Sequence, residues 1–93
     1  MSLYVMVTAD FPDVTSDERA KIYECLEKKN WTKIHNTGRD IDTVWYAQFK
    51  DGATYEGVIR TSKNDFCDCS KEYTKAKLAI MVGENKPTIH TCE

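Results

Sequence analysis

The sequence lacks the long apolar run, the dense positive charge and the signature loops that would assign it to a common functional class. No window approaches the roughly 20 apolar residues that cross a bilayer, and the first residues lack the charged-then-apolar layout of a secretory signal. A formal net charge of -2 argues against a protein that holds nucleic acid by bulk electrostatics. These absences predict a cytoplasmic protein with no membrane partner.

The signatures of conventional metabolic enzymes are also missing. The chain contains no nucleophile elbow, no phosphate-binding loop and no dinucleotide fingerprint. It has no repeats, no low-complexity segment and no linker, and 93 residues can bury one modest core. We therefore expect a single domain, residues 1–93, whose function is not conventional metabolic catalysis.

The first apolar stretch, residues 3–11, alternates as a β-strand does. Its two faces consist of Leu3, Val5, Val7 and Ala9 on one side and Tyr4, Met6, Thr8 and Asp10 on the other. Neither face is fully polar, so we expect both to be covered by other groups. Asp10 stands at the exit of the strand, where its carboxylate could serve either a turn or a reaction.

A helix is predicted to follow, from Thr15 to about Asn30. Thr15 and Glu18 have the spacing of a capping box. The apolar positions expected to share one helix face are Ala20, Ile22, Tyr23 and Leu26.

The rest of the chain predicts three more strands and one more helix. The strands are expected at 31–36, 43–49 and 77–82, and the helix from Thr54, with a break near residue 64 because Asn64 and Asp65 weaken the pattern. Residues 88–92 could add a fifth strand or form a tail that reaches another subunit. The order βαββαβ predicts a ferredoxin-like α+β sandwich, with two helices on one face of a four-stranded antiparallel sheet.

The face of this sheet away from the helices is unusually apolar. It is expected to carry Tyr4, Met6, Thr8, Val44, Tyr46 and Gln48. An exposed apolar patch of this kind is expected to be buried against another molecule. Three covers are open: a second copy of the chain in a homodimer, single-stranded RNA bases stacked on the tyrosines, or a strand or helix of a partner protein, as in an inhibitor or antitoxin.

The layout of the first strand and helix resembles a known nuclease family. A first strand that ends in Asp10, followed by Asp13 and at once by a helix, is similar to the small CRISPR-associated nuclease of spacer acquisition and the related GhoS antitoxin endoribonucleases. The resemblance implies that Asp10 from each of two subunits is the catalytic residue and binds Mg²⁺ or Mn²⁺, which activates water. It implies a small dimeric, metal-dependent endoribonuclease-like antitoxin.

A second resemblance is to RNA-recognition motif domains. It is carried by Leu3-Tyr4-Val5 in the first strand and Tyr46-Ala47-Gln48-Phe49-Lys50-Asp51 in the third. It implies a non-catalytic module in which Tyr4 and Tyr46 are the RNA-binding residues and stack bases without a metal.

The four cysteines are expected to be reduced thiols, because a core of this size does not need disulfides. The pairs Cys67/Cys69 and His90/Cys92 could supply four zinc ligands, although their spacing is shorter than usual and free thiols are favoured. His35 and His90 are the side chains that titrate near neutrality and could act as a general base, with a structural hydrogen bond as the favoured role.

Two groups of basic residues are expected to be solvated faces with interspersed acids. The first comprises Lys21, Lys28, Lys29, Lys33 and Arg39, and the second Lys71, Lys75, Lys77 and Lys86.

Overall fold

Two helices pack on one face of a four-stranded antiparallel sheet in the computed structural model, which describes residues 2–36 and 39–88. The elements are β1 (Leu3–Asp10), α1 (Ser16–Lys28), β2 (Thr32–Asn36), β3 (Arg39–Phe49), α2 (Tyr55–Ser70) and β4 (Lys77–Gly83). The strand order is β2-β3-β1-β4. The predicted ferredoxin-like α+β fold is therefore confirmed, while the predicted fifth strand lies, apart from Thr88, outside the described residues.

β1 is a central strand and has the predicted alternation of faces. The residues that face the helices are at most 6% exposed, and they are Leu3, Val5, Val7 and Ala9. The alternate residues are half-buried near the start of the strand and exposed near its end, and they are Tyr4, Met6, Thr8 and Asp10. A period of two has thus separated a core face from a second face that the helices leave uncovered.

Aromatic side chains fill the space between the sheet and the helices. Trp45 of β3 is fully buried and meets the edge of Tyr23 of α1, with ring centroids 5.1 Å apart. Trp31 packs against Phe66 of α2 at 4.8 Å, and its indole Nε1 donates a hydrogen bond of 3.0 Å to Oδ2 of Asp65. Edge-on packing of this kind stabilises a core beyond its burial alone.

α1 begins and ends with local hydrogen bonds that its sequence encodes. Thr15 and Glu18 form the predicted capping box. At the other end Asn30 is left-handed (φ 71°), and Trp31 N–H donates to the carbonyl of Leu26. This Schellman turn ends α1 at Lys28, short of the predicted Asn30.

One predicted member of the apolar face of α1 was misplaced. Ala20 is exposed to solvent, whereas Ile22 and Leu26 are fully buried. The buried side of the helix is therefore narrower than the predicted one.

α2 is unbroken from Tyr55 to Ser70, so the predicted break near residue 64 is wrong. Asn64 and Asp65 lower helix propensity, but tertiary packing overrides it. Phe66 next to them is fully buried, and Asp65 accepts the hydrogen bond of Trp31. The weak residues are held by long-range contacts that the local pattern does not contain.

β2 begins later than predicted, and β3 begins earlier than predicted. β2 begins at Thr32, because the backbone N–H of Trp31 is used by the turn that ends α1. β3 begins at Arg39, before the predicted start at residue 43, and its pairing with β2 shifts register between Lys33 and Ile34. A bulge of this kind interrupts the alternation from which the sequence pattern is read.

The helices are joined by a disulfide between Cys25 of α1 and Cys69 of α2, with Cα atoms 5.6 Å apart. The prediction of four reduced thiols is therefore wrong. The two cysteines are 44 residues apart in sequence and meet only because α1 and α2 lie side by side. Among the described residues Cys67 is a free cysteine and is half-buried, and Cys92 lies outside them.

Candidate binding site on the open sheet face

The sheet face opposite the helices, called the open face below, carries a row of side chains that crosses all four strands. In register across the sheet, Tyr46 of β3 pairs with Met6 of β1 on one side and with Thr32 of β2 on the other. Met6 in turn pairs with Met81 of β4, which is 68% exposed. Val44 and Ala79 stand beside this row, each opposite Thr8. The centre of the open face is thus a continuous apolar strip.

Polar residues border this strip. At one end Asp10 of β1 pairs in register with Lys77 of β4, and both are exposed. Exposed Gln48 and Thr32 lie on the side of β2 and β3. An apolar centre inside a polar rim is the layout of a protein interface.

Tyr4 and Tyr46, the two predicted RNA-binding residues, lie on this face and are both half-buried. Tyr4 is opposite Gln48, and Tyr46 is opposite Met6, so the two tyrosines are diagonal neighbours on adjacent strands. Diagonal neighbours in an antiparallel sheet are roughly 7–8 Å apart. The pair can therefore present two ring surfaces to one ligand.

The chain after β4 turns back onto the open face. Nζ of Lys86 lies 5.6 Å from the centroid of the Tyr46 ring, a cation–π contact. Asn85 and Pro87 line a cavity of about 180 Å³ together with Tyr4, Met6 and Met81. Residues 84–88 thus form a strap over part of the face. The placement of the strap depends on contacts between segments far apart in sequence, which the local sequence does not contain.

Asp10, the predicted catalytic and metal-binding residue, is exposed at the end of β1 on the open face. Throughout the part of the chain that the structure describes, no three His, Cys, Asp or Glu residues come together as a metal site would need. Asp13 has a different role: it is left-handed (φ 61°) in the turn after Pro12, whose carbonyl accepts a hydrogen bond from Thr74 Oγ1.

The zinc site of Cys67, Cys69, His90 and Cys92, which the sequence left as the less favoured alternative to free thiols, is contradicted in its four-ligand form. Cys69 is in the disulfide, and a disulfide sulfur is not the thiolate that zinc binds. His90 and Cys92 lie outside the described residues. The backbone of His35 in β2 pairs with that of Asp40 in β3, and β2 is two strands away from β1 in the sheet.

No family model matches the chain, and no curated protein matches it. Among solved structures it is similar to a dimeric ferredoxin-like protein from an uncultured marine organism. The TM-score is 0.51 at 15% sequence identity, over 95% of this chain and 98% of that chain. At this identity the likeness establishes the ferredoxin-like fold alone. Of the helices in the described residues, none is long and apolar enough to cross a membrane.

Proposed function

We propose that this chain is a homodimeric ferredoxin-like binding module that associates with a second copy through its open face. The observation that carries the proposal is the apolar strip of Tyr46, Met6 and Met81 across β3, β1 and β4, which ends in Met81 at 68% exposure. Burying exposed apolar surface contributes roughly 25 cal/mol per Å², and an apolar face of a sheet is most simply buried against a copy of itself.

Two further observations support a dimer. The polar rim formed by Asp10, Lys77 and Gln48 surrounds the strip as the rim of an interface does. The marine protein with a similar fold is described as dimeric. A twofold arrangement would place the same residues on both sides of the interface.

The dimer is tested by measuring molar mass in solution. Wild type should elute as a dimer in size-exclusion chromatography with light scattering, and Met81→Lys should elute as a monomer because it puts a charge into the buried strip. The matched control is Ile59→Lys, since Ile59 is an exposed apolar residue (43%) on α2, on the other side of the sheet. An unchanged dimer for Met81→Lys, or a monomeric wild type, contradicts the proposal.

A second candidate function is the binding of single-stranded RNA on the same face. It is favoured by the diagonal placement of Tyr4 and Tyr46 on the open face. Stacking of a base on an aromatic side chain is worth roughly 1–3 kcal/mol. Tyr46→Ala should lower RNA affinity by that amount in a fluorescence titration without a metal, whereas exposed Tyr55→Ala on α2 should not.

The catalytic form of this candidate is an endoribonuclease-like antitoxin in which Asp10 binds Mg²⁺ or Mn²⁺. It requires the dimer, because further ligands would come from a second copy. Cleavage of single-stranded RNA with Mn²⁺ should be lost in Asp10→Asn and kept in Asp13→Asn. Asp13 is a suitable control because it is a neighbouring turn residue, and asparagine also tolerates its left-handed backbone conformation. Cleavage that survives in Asp10→Asn rules this role out.

The Cys25–Cys69 disulfide bears on the compartment in which the protein is found. A cytoplasmic location agrees poorly with an oxidised Cys25–Cys69 pair, because the cytosol keeps most thiols reduced. Alkylation of the thiols in freshly lysed cells, followed by mass spectrometry, separates the two cases. Labelled Cys25 and Cys69 support the cytoplasm, and protection of both supports an oxidising compartment.

A further inference from the structure

The helical side of the molecule contains a basic groove that the proposed function does not use. Three exposed lysines of α1 and its C-terminal cap, Lys21, Lys28 and Lys29, line an open cavity of about 440 Å³. The same cavity is lined by Tyr73, from the connection between α2 and β4. We call this the lysine groove. These lysines and Tyr73 are 44 to 52 positions apart in sequence, so the groove is not a feature of α1 alone.

The charge of the lysine groove is opposite in sign to that of the chain. Its lining includes one acid, Glu24, whose Oε1 is 3.1 Å from Nζ of Lys28. Because this pair cancels internally, the lining has a formal charge of about +2, from Lys21 and Lys29, in a chain of -2. A concave positive site of this kind raises the local concentration of anions.

Tyr73 adds to the groove an aromatic side chain that the fold holds in place. Tyr73 is half-buried, and its backbone N–H donates to the carbonyl of Ser70 at 2.9 Å. The Cys25–Cys69 disulfide fixes α1 to the end of α2 just before this residue. Lysine ammonium groups bind phosphate, and an aromatic side chain can stack a base. The cavity lies in the roughly 300–1,000 Å³ range of small-molecule sites.

We propose that the lysine groove binds the phosphate of a nucleotide, with Lys21 and Lys29 contacting the phosphate and Tyr73 stacking on the base. The nucleotide is either free or the end of a single-stranded nucleic acid. The groove and the open face are on opposite sides of the sheet, so this site stands whether or not the open face dimerises.

The experiment measures binding of ADP, of inorganic pyrophosphate and of a labelled 12-nucleotide single strand by the oxidised protein. The double variant Lys21→Gln/Lys29→Gln should weaken all observed binding at least fivefold. It should also reduce the slope of log affinity against log salt concentration by about one to two. The matched control is Lys50→Gln/Lys63→Gln, which removes the same charge from exposed lysines outside the groove. Equal losses in both double variants would show nonspecific charge attraction and overturn the site.

Tyr73→Leu separates stacking from charge. It should weaken ADP or the single strand severalfold and leave pyrophosphate unchanged; a loss for all three ligands would mean damage to the groove and overturn the role of the ring. Binding of ADP identifies the free nucleotide, and binding of the single strand alone identifies a nucleic-acid end. Binding of none of the three overturns the proposal. Tyr46→Ala should leave the affinities for ADP and pyrophosphate unchanged, whereas it should weaken a single strand that binds on the open face, which distinguishes the two sites.

Discussion

The two faces of the sheet are made by the same strands and have opposite surroundings. On the face under the helices, Val5, Val7 and Trp45 are fully buried. On the open face, Met6 and Tyr46 alternate with them, and Met81 beyond them is 68% exposed. Folding of one chain requires the first face and does not require the second. Apolar side chains on the open face therefore call for a binding partner as their explanation, which is why the proposed function starts there.

The largest expected effect separates two neighbouring residues of β3. Trp45→Ala should lower the free energy of unfolding by about 3–5 kcal/mol, because a large side chain is removed from a packed core. Tyr46→Ala, on the other face, should lower it by no more than about 1 kcal/mol in the monomer. Urea unfolding at low protein concentration measures both. Similar losses at the two positions would mean that the open face is also part of the folding core.

A smaller loss is expected from removing the covalent link on the helical side. The double variant Cys25→Ser/Cys69→Ser should lose about 2–4 kcal/mol, since the bond closes a loop of 44 residues and restricts the unfolded chain. Cys67→Ser is the control, because Cys67 is on the same helix and is not bonded. Its stability should equal that of wild type. Reductant should lower the stability of wild type and leave the double variant unaffected.

The smallest effect is expected at the strap. Lys86→Ala should lower stability by about 0.5–1 kcal/mol, the usual worth of a cation–π contact at an exposed site, whereas Lys63→Ala should not. The same change uncovers the Tyr46 ring. If the strap competes with a second copy or with RNA, Lys86→Ala should also strengthen association at the open face. Weaker association would instead make Lys86 part of the binding surface.

The sequence predicted those parts of the fold that depend on local patterns. Alternation along β1 correctly placed Val5 and Val7 on the core face and Tyr4 and Met6 on the open face, because a strand has a period of two. The spacing of Thr15 and Glu18 gave the start of α1. The same logic placed Tyr4, Tyr46 and Asp10 on one face of the sheet.

Other features depended on contacts between distant segments and could not be predicted in this way. Cys25 and Cys69 are brought together by helix packing. The hydrogen bond between Trp31 and Asp65 stabilises α2 where Asn64 and Asp65 lower its helix propensity. The strap lies over Tyr46 for a similar reason. The lysine groove also joins two segments, so each group of lysines by itself indicated only a solvated face.

The disulfide has a mechanical consequence as well. Its covalent ring encloses β2 and β3, whereas β1 and β4 come from the two chain ends outside it. The sheet order β2-β3-β1-β4 thus divides into a half inside the ring and a half outside it. A force applied to the two termini would first detach β1 and β4 from the sheet. The disulfide would then prevent the 44-residue loop between Cys25 and Cys69 from being extended. The oxidised chain would stretch roughly 150 Å less than the reduced chain, at about 3.4 Å per residue of this loop.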